Sequence, residues 1–383
     1  MGDPPLTIAI LGSTGSVGRQ ALDVISRHPD RFDVIGLAAG SNAELISAQA
    51  REFDVGLVGL ADPAAAATAR ASLGGAEVID GAGAAEVIAG AHADLVLNAM
   101  VGSQGLGPTL AALRAGSRLA LANKESLILG GELVRSAAGD PSRIVPVDSE
   151  HSALAQCLVG RPISEVHRLI VTASGGPFRG RTRQDLASVT VADAMHHPTW
   201  DMGAVITINS ATLANKGLEV IEAHLLFDIP YDRIEVVVHP ASVVHSMVEF
   251  VDGSTLASLS PPDMRLPIQW ALSFPERLAW SPARMDWSQP LTLEFEPLDA
   301  KTFPMVDVAI TAGRSGGTAP GVFNAANEEA VAAFLDGRLS FLGIGDVVAA
   351  VLGEHDGVSA PDLDAVLAAE DWARHRARER IGA

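Results

Sequence analysis

A single cysteine, Cys157, leaves this chain with no internal disulfide framework and no cysteine-rich metal site. That scarcity fits a reducing, cytoplasmic setting. Lysine is nearly as rare, with three in 383 residues: Lys124, Lys216 and Lys301. Basic charge is short overall. A net charge of −19 and a pI near 4.9 argue against nucleic acid or an anionic membrane as partner. An anionic substrate would need a basic pocket built locally within that field. No apolar run reaches the roughly 18 uninterrupted residues of a membrane helix. The opening Met1-Gly2-Asp3-Pro4-Pro5 carries no basic stretch, so no signal or transit peptide is expected.

What is present is a globular composition, 48% hydrophobic and 19% charged, on a chain long enough for two or three domains. Thr7-Ile8-Ala9-Ile10-Leu11 reads as a buried strand, followed by Gly12-Ser13-Thr14-Gly15-Ser16-Val17-Gly18 and a helix pattern carrying Ala21, Leu22, Val24 and Ile25. Strand, glycine turn and helix form the setting of a dinucleotide fingerprint, here spaced G-x-x-G-x-x-G. Glycines let the backbone approach a pyrophosphate, and the helix start offers N–H groups and a positive dipole end. Phe32–Leu37 reads as a second strand, leading to Ala38-Ala39-Gly40-Ser41-Asn42. No acidic residue stands there to hold ribose hydroxyls, which tilts the reading towards NADP. Further strands at Val55–Val58, Asp94–Asn98 and Arg118–Ala122 alternate with helical patterns and predict a doubly wound parallel sheet. Asn98-Ala99-Met100-Val101-Gly102 and Asn123-Lys124-Glu125-Ser126 then fall at carboxyl ends of strands, where such sheets hold ligands.

The apolar run Arg143–Val147 reads as a short strand that ends in Asp148-Ser149-Glu150. In extended backbone, side chains at i and i+2 share a face, so these two carboxylates could converge on a divalent cation. After a further strand, Arg168–Thr172, the turn Ser174-Gly175-Gly176 suits an anion nest. The polar stretch ending His196-His197-Pro198-Thr199-Trp200-Asp201-Met202-Gly203 has the make-up of a lid. Ser210 to Glu222 reads as one helix start, with Thr212, Asn215, Lys216, Glu219 and Glu222 on one face and Ala214, Leu218, Ile221 and Leu225 on the core-facing side. Glu219 is then a third carboxylate, and Ser210, Asn215 and Lys216 suit a phosphate. Strand patterns at Ile234–Val238, Val243–Phe250 and Thr255–Leu259 predict a second, partly antiparallel sheet with a surface able to pair subunits. From about Lys301 the pattern turns helical.

Taken in order, these segments resemble the 1-deoxy-D-xylulose 5-phosphate reductoisomerase family. The resemblance lies in LGSTGSVG (11–18), LANKESLILGG (121–131), PVDSEHSA (146–153), ASGGPFRG (173–180), HPTWDMG (197–203), NSATLANKGLEVIEA (209–223) and HPASVVHSMVEF (239–250). It implies an α/β chain with a Rossmann-like NADP-binding domain over residues 1–149. A central α+β catalytic domain over 150–290 would carry the metal and substrate site, a lid at 178–206 and the dimer sheet, and a linker with a C-terminal helical bundle would fill 291–383. It further implies a cytoplasmic homodimer that rearranges and reduces 1-deoxy-D-xylulose 5-phosphate to 2-C-methyl-D-erythritol 4-phosphate with NADPH and one divalent cation, Mg²⁺, Mn²⁺ or Co²⁺. The route in the family is retro-aldol/aldol rearrangement followed by hydride delivery.

Carried over residue by residue, the metal ligands are Asp148, Glu150 and Glu219, with Lys216 beside the reacting oxygens. The substrate contacts are Lys124, Ser149, Glu150, Ser174, His197, Trp200, Met202, Ser210, Asn215, Lys216 and Glu219. The cofactor would lie on Gly12, Thr14, Gly15, Ser16, Val17, Gly40, Ser41, Asn42, Asn123, Lys124, Glu125 and Gly203. Many members carry a basic residue in the segment where this chain has Ser41, so NADPH preference is expected but reduced. Two rivals remain: an NADP dehydrogenase of the aspartate-semialdehyde type, which needs a reactive cysteine, and a non-catalytic NADP sensor.

Overall fold

The computed structural model describes residues 4–196 and 203–382. They form two compact units: the first runs through Ser126 and adds Val134–Ser152 and Asp263–Pro282, and the second takes Leu127–Leu133, Ala153–Pro262 and the chain from Ala283 onward.

In the first unit, strands that read as continuous apolar runs are buried on both faces, as a parallel sheet requires. The elements alternate: β1 (Leu6–Leu11), α1 (Ser16–Ser26), β2 (Phe32–Ala39), α2 (Ala43–Glu52), β3 (Leu57–Leu60), α3 (Pro63–Ser72), β4 (Glu77–Asp80), α4 (Ala84–Ala89), β5 (Leu95–Asn98), α5 (Leu106–Arg114), β6 (Arg118–Leu121), α6 (Lys124–Ala138), β7 (Ile144–Pro146) and α7 (Ser149–Leu158). The strand order is β4-β3-β2-β1-β5-β6-β7, parallel throughout. The order reverses between β1 and β5, which opens a crevice beyond their carboxyl ends. That is the predicted doubly wound sheet, extended by β4.

The second unit is built on β8 (Val166–Ala173), the short helices α8 (Arg183–Leu186) and α9 (Val191–Ala194), α10 (Ala204–Thr212), α11 (Ala214–Phe227), β9 (Ile234–Val238), β10 (Val244–Phe250) and β11 (Thr255–Leu259). Helix α12 (Arg265–Ser273) belongs to the first unit, and the chain then returns for β12 (Glu296–Pro297), α13 (Met305–Ser315), α14 (Ala319–Leu335), α15 (Phe341–Gly353) and α16 (Leu363–Gly382). The sheet order is β11-β10-β8-β9-β12, with β8 and β9 parallel and the other pairs antiparallel. The expected mixed sheet and C-terminal helices are both present. One core runs from β8 and β10 through α11 to the C-terminal helices, with Leu169, Val171, Leu218, Ile221, Phe323 and Val348 fully buried or nearly so.

Arg374 of α16 ties the C-terminal helices together by ion pairs to Glu328 (2.5 Å), Glu329 (3.3 Å) and Glu370 (2.7 Å).

Candidate active site

At the end of β1 the chain must turn sharply beneath the crevice, and glycines make this possible. Gly12 sits at φ 78°, and a Cβ there would stand 2.5 Å from the Ala99 carbonyl oxygen of the neighbouring loop. The N–H groups of Gly12 and Ser13 both donate to Ala38 O of β2, at 2.8 and 3.0 Å. A Cβ on Gly18 would lie 2.3 Å from Gly12 O, so α1 packs directly on the turn. Gly15 caps α1 without a side chain, and Gly15 and Ser16 are exposed. Backbone N–H groups at the start of α1 are thus available to an anion. Gly40, Ser41 and Asn42 follow β2 and are exposed, and Asn42 Oδ1 caps α2 by accepting from Leu45 N at 3.0 Å.

Two asparagines shape the other side of the crevice. Asn98 is fully buried; its amide donates to Gly105 O (3.1 Å) and Thr109 Oγ1 (2.9 Å), while its Oδ1 accepts from Met100 N (3.1 Å). Asn123 caps α6 by accepting from Ser126 N, and its amide donates to Met100 O (3.1 Å), Gly102 O (2.9 Å) and Glu125 (2.9 Å). Sequence reasoning marks Asn123 as a cofactor contact; in the fold its side chain is fully buried and braces the β5 loop. The bracing by Asn98 is not anticipated, although a polar residue closing a buried strand was a visible signal.

The extended geometry expected around Asp148 is corrected. Strand β7 ends at Pro146 and Ser149 already opens α7, with Ser152 N donating to Asp148 O at 2.8 Å. Asp148 and Glu150 therefore flank a helix N-terminus, where the dipole favours negative charge. Their carboxylate oxygens still converge to within 4.8 Å. The Lys124 ammonium pairs with Asp148, both side chains 13% exposed, and the Ser149 hydroxyl contacts the Glu150 carboxylate.

In the second unit, Gly175 and Gly176 follow Ser174 at φ 84° and 66°. A Cβ on Gly176 would stand 2.8 Å from Ser210 O, so this turn is seated against α10 and brings Ser174 and Ser210 into one neighbourhood. The single helix expected from Ser210 is instead two. Thr212 ends α10, Leu213 adopts a left-handed conformation (φ 61°) and α11 opens at Ala214. Thr212 therefore does not share the α11 face; its hydroxyl donates to Ile208 O and accepts from Ala214 N. Nor does α11 carry a solvated polar face, because Lys216 to Ala223 are all buried. Asn215 and Lys216 both engage the Glu219 carboxylate, which is 1% exposed. Buried charges are tolerated when paired and hydrogen-bonded in this way.

Gly203 precedes α10 and is exposed. His197, Trp200 and Met202 lie outside the described residues. Of the remaining stretch 178–206, α8 and α9 each start with a complete capping box, Thr182/Asp185 and Thr190/Asp193. Burial pushes the Cys157 thiol up to about 11, so it is no thiolate nucleophile at neutral pH, which counts against the cysteine-dependent dehydrogenase.

A doubly wound sheet with a glycine turn at its switch point defines a nucleotide-binding α/β protein, and the carboxylate pair beside Lys124 adds an acidic site to it. Residues 8–131 match the family model described as 1-deoxy-D-xylulose 5-phosphate reductoisomerase, 144–227 match the model of its C-terminal domain, and 259–376 match the DXP reductoisomerase C-terminal domain. The chain is 57% identical over 389 residues to the 1-deoxy-D-xylulose 5-phosphate reductoisomerase of Pseudarthrobacter chlorophenolicus, covering 98% of each, and 58% identical over 384 residues to that of Kitasatospora griseola, covering 97% of this chain and 99% of the relative. Its fold matches the reductoisomerase from Zymomonas mobilis in complex with NADPH at a TM-score of 0.93, with 41% identity over 99% of this chain and 100% of that one. It matches a DOX-P reductoisomerase in complex with NADPH, fosmidomycin and magnesium at a TM-score of 0.90, with 36% identity over 98% of both chains. The chain belongs to the 1-deoxy-D-xylulose 5-phosphate reductoisomerase family of NADPH-dependent oxidoreductases.

Proposed function

We propose that this chain converts 1-deoxy-D-xylulose 5-phosphate to 2-C-methyl-D-erythritol 4-phosphate, using NADPH and one divalent cation. The observation that carries the reading is the approach of the Asp148 and Glu150 carboxylates to within 4.8 Å of each other at the opening of α7. Two like charges this close repel; the single Lys124 ammonium beside Asp148 balances one of them, and a bound cation would balance the other. The donor set fits the metal: carboxylate oxygens are the hard ligands that Mg²⁺ and Mn²⁺ prefer. Glu219 is assigned as the third ligand, its orientation fixed by Asn215 and Lys216. When bound, the cation supplies Lewis-acid polarisation of adjacent substrate oxygens, and NADPH supplies the hydride.

The remaining roles belong to the chain itself. The turn Gly12 to Val17 and the start of α1 receive the cofactor pyrophosphate, and Gly40, Ser41 and Asn42 the adenosine end. Asn123, Lys124, Glu125 and Gly203 are assigned to the nicotinamide end. Ser174, His197, Ser210, Asn215 and Lys216 are assigned to the substrate phosphate, and Trp200 and Met202 to the lid. Anchoring that remote phosphate provides binding energy for ordering the reacting end. Lys216 and Glu150 are assigned to proton transfer at the substrate hydroxyls, and Ser149 to binding the same end of the substrate. The non-catalytic alternative gives no account of acidic ligands packed among lysines.

We further propose a homodimer paired through the sheet of the second unit, acting in the cytoplasm. No helix among the described residues is long and apolar enough to cross a membrane. Sedimentation analysis tests the dimer, and a monomer at micromolar concentration would refute it. The decisive assay for function is NADPH oxidation with 1-deoxy-D-xylulose 5-phosphate, with and without EDTA. Activity lost with chelator and restored by Mg²⁺ or Mn²⁺ supports the assignment, and indifference to chelator rejects it.

A further inference from the structure

Helix α2 carries one polar side chain where packing alone would favour an apolar one. Gln49 is 5% exposed and lies on the buried side with Ile46 and Ala50. Its Nε2 donates to the backbone carbonyl of Ser13, within the β1–α1 glycine turn, at 3.0 Å. Its Oε1 finds no hydrogen-bond partner among the described residues. Leucine would fill the same volume with no polar atom to desolvate, so core stability does not account for a half-satisfied glutamine.

The bond has a directional consequence. The Ser13 N–H is already committed to Ala38 O, and Gln49 fixes the Ser13 carbonyl as well. In a planar trans peptide, the carbonyl and the following N–H point in opposite directions. Drawing Ser13 O towards α2 therefore turns the Thr14 N–H away from α2, to the open side of the turn, where Thr14 is partly exposed. The same helix begins at Asn42, beside the segment assigned to the adenosine end, and reaches Gln49 two turns further on. One element thus links the segment assigned to the adenosine end with the turn assigned to the central pyrophosphate.

We propose that Gln49 is a positioning residue for NADPH, orienting the Thr14 amide towards the pyrophosphate through the Ser13 carbonyl. The inference rests on the NADPH reading above. It assigns Gln49 a specific contribution to binding the central pyrophosphate and none to the adenosine 2′-phosphate or to the chemical steps.

The test compares wild type with Gln49→Met, which keeps length and removes the donor, and Gln49→Glu, which keeps shape and replaces the amide by an acceptor. Binding of NADPH is read by its fluorescence, and binding of 2′-AMP, which lacks the pyrophosphate, by calorimetry. Both variants should bind NADPH about five- to tenfold more weakly, the loss expected for one hydrogen bond. Affinity for 2′-AMP and kcat at saturating NADPH should stay within about twofold of wild type, a change too small to represent a lost contact. Unchanged NADPH affinity in Gln49→Met would overturn the proposal. So would equal losses for NADPH and 2′-AMP, which would mean that α2 had merely shifted, or a kcat that falls in step. If wild type itself fails to bind NADPH, the family reading falls and this inference with it; if wild type binds and Gln49→Met binds equally well, only this inference falls.

Discussion

The Lys124 ammonium at the start of α6 lies against the Asp148 carboxylate at the start of α7, joining two helix N-termini of the first unit. Lys124→Gln removes a positive charge from beside both the proposed metal ligand and the nicotinamide. The variant should lose about a hundredfold in kcat/KM, the scale of one electrostatic contact at the reacting atoms. Its affinity for Mn²⁺ should not fall, because deleting a neighbouring cation cannot weaken binding of another. Calorimetric titration of the apoprotein with Mn²⁺ checks this, and weaker binding would show that Lys124 supports the cation site and does not compete with it.

Glu219→Gln keeps the shape of the side chain buried in α11 and removes its charge. Turnover should drop by at least about a thousandfold, as loss of a metal-ligating carboxylate implies. NADPH binding, assigned to the other unit apart from Gly203, should be nearly unaffected. A rate close to wild type would show that Glu219 is no ligand.

Gly18 has no room for a side chain: a methyl group there would meet Gly12 O at 2.3 Å and Ser13 Cα at 2.6 Å, both backbone atoms. Gly18→Ala should cost about 2 to 3 kcal/mol in urea unfolding, the range of overpacked sites. The displaced turn should weaken NADPH binding in parallel. A variant of wild-type stability and affinity would show that α1 slides away freely.

His245 gives the second unit a pH dependence. Burial, with repulsion from His239 and Lys216, pushes its imidazole down to about 4, against a hydrogen bond at Ser260 that acts the other way. The unfolded chain, titrating near the usual 6.5, therefore binds more protons than the folded one between these values. Its contribution is fully present above 6.5 and is lost as pH falls towards 4, at about 1.4 kcal/mol per unit. Urea midpoints measured at neutral and mildly acid pH should show this slope in wild type. His245→Asn should flatten it, and an unchanged slope would assign it to other groups.

Arg374 offers a control remote from the chemistry. Arg374→Met leaves Glu328, Glu329 and Glu370 without their shared counter-ion. Because the pairs are partly exposed, the expected loss is about 2 kcal/mol. Thermal unfolding should report it, with NADPH affinity unchanged.

The alternating strands of the first unit were legible because buried strands leave continuous apolar runs, as in Ile8–Leu11 and Leu95–Leu97. Strand β4 gives no such run: Glu77-Val78-Ile79-Asp80 is an edge strand in which only Val78 is buried. The break between α10 and α11 was invisible for a different reason. The residue in the left-handed conformation is Leu213, and leucine carries no breaker signal. Lys216, Glu219 and Glu222 were legible as one polar helix face with ligand-type side chains, but periodicity does not show whether such a face is wet or dry; here all three are buried, with Lys216 paired to Glu219. At Asp148 the residues pointed to the right convergence through the wrong backbone, since a strand and a helix start can each bring nearby carboxylates together. Gln49 shows the converse: a polar side chain on a buried helix side is a visible oddity, but its partner, a backbone carbonyl, has no letter in the sequence.

The half-buried, weakly acidic thiol of Cys157, whose Sγ leans on Leu256 O at 3.7 Å, has a practical consequence. Maleimide-type reagents used near neutrality react with thiolates, so the native protein should stay silent towards them. Cysteines introduced at one exposed position in each unit could then carry spin or fluorescent labels without background. Distances between such labels, taken as cofactor, cation and substrate are added in turn, would show directly whether the separation of the units responds to any of them.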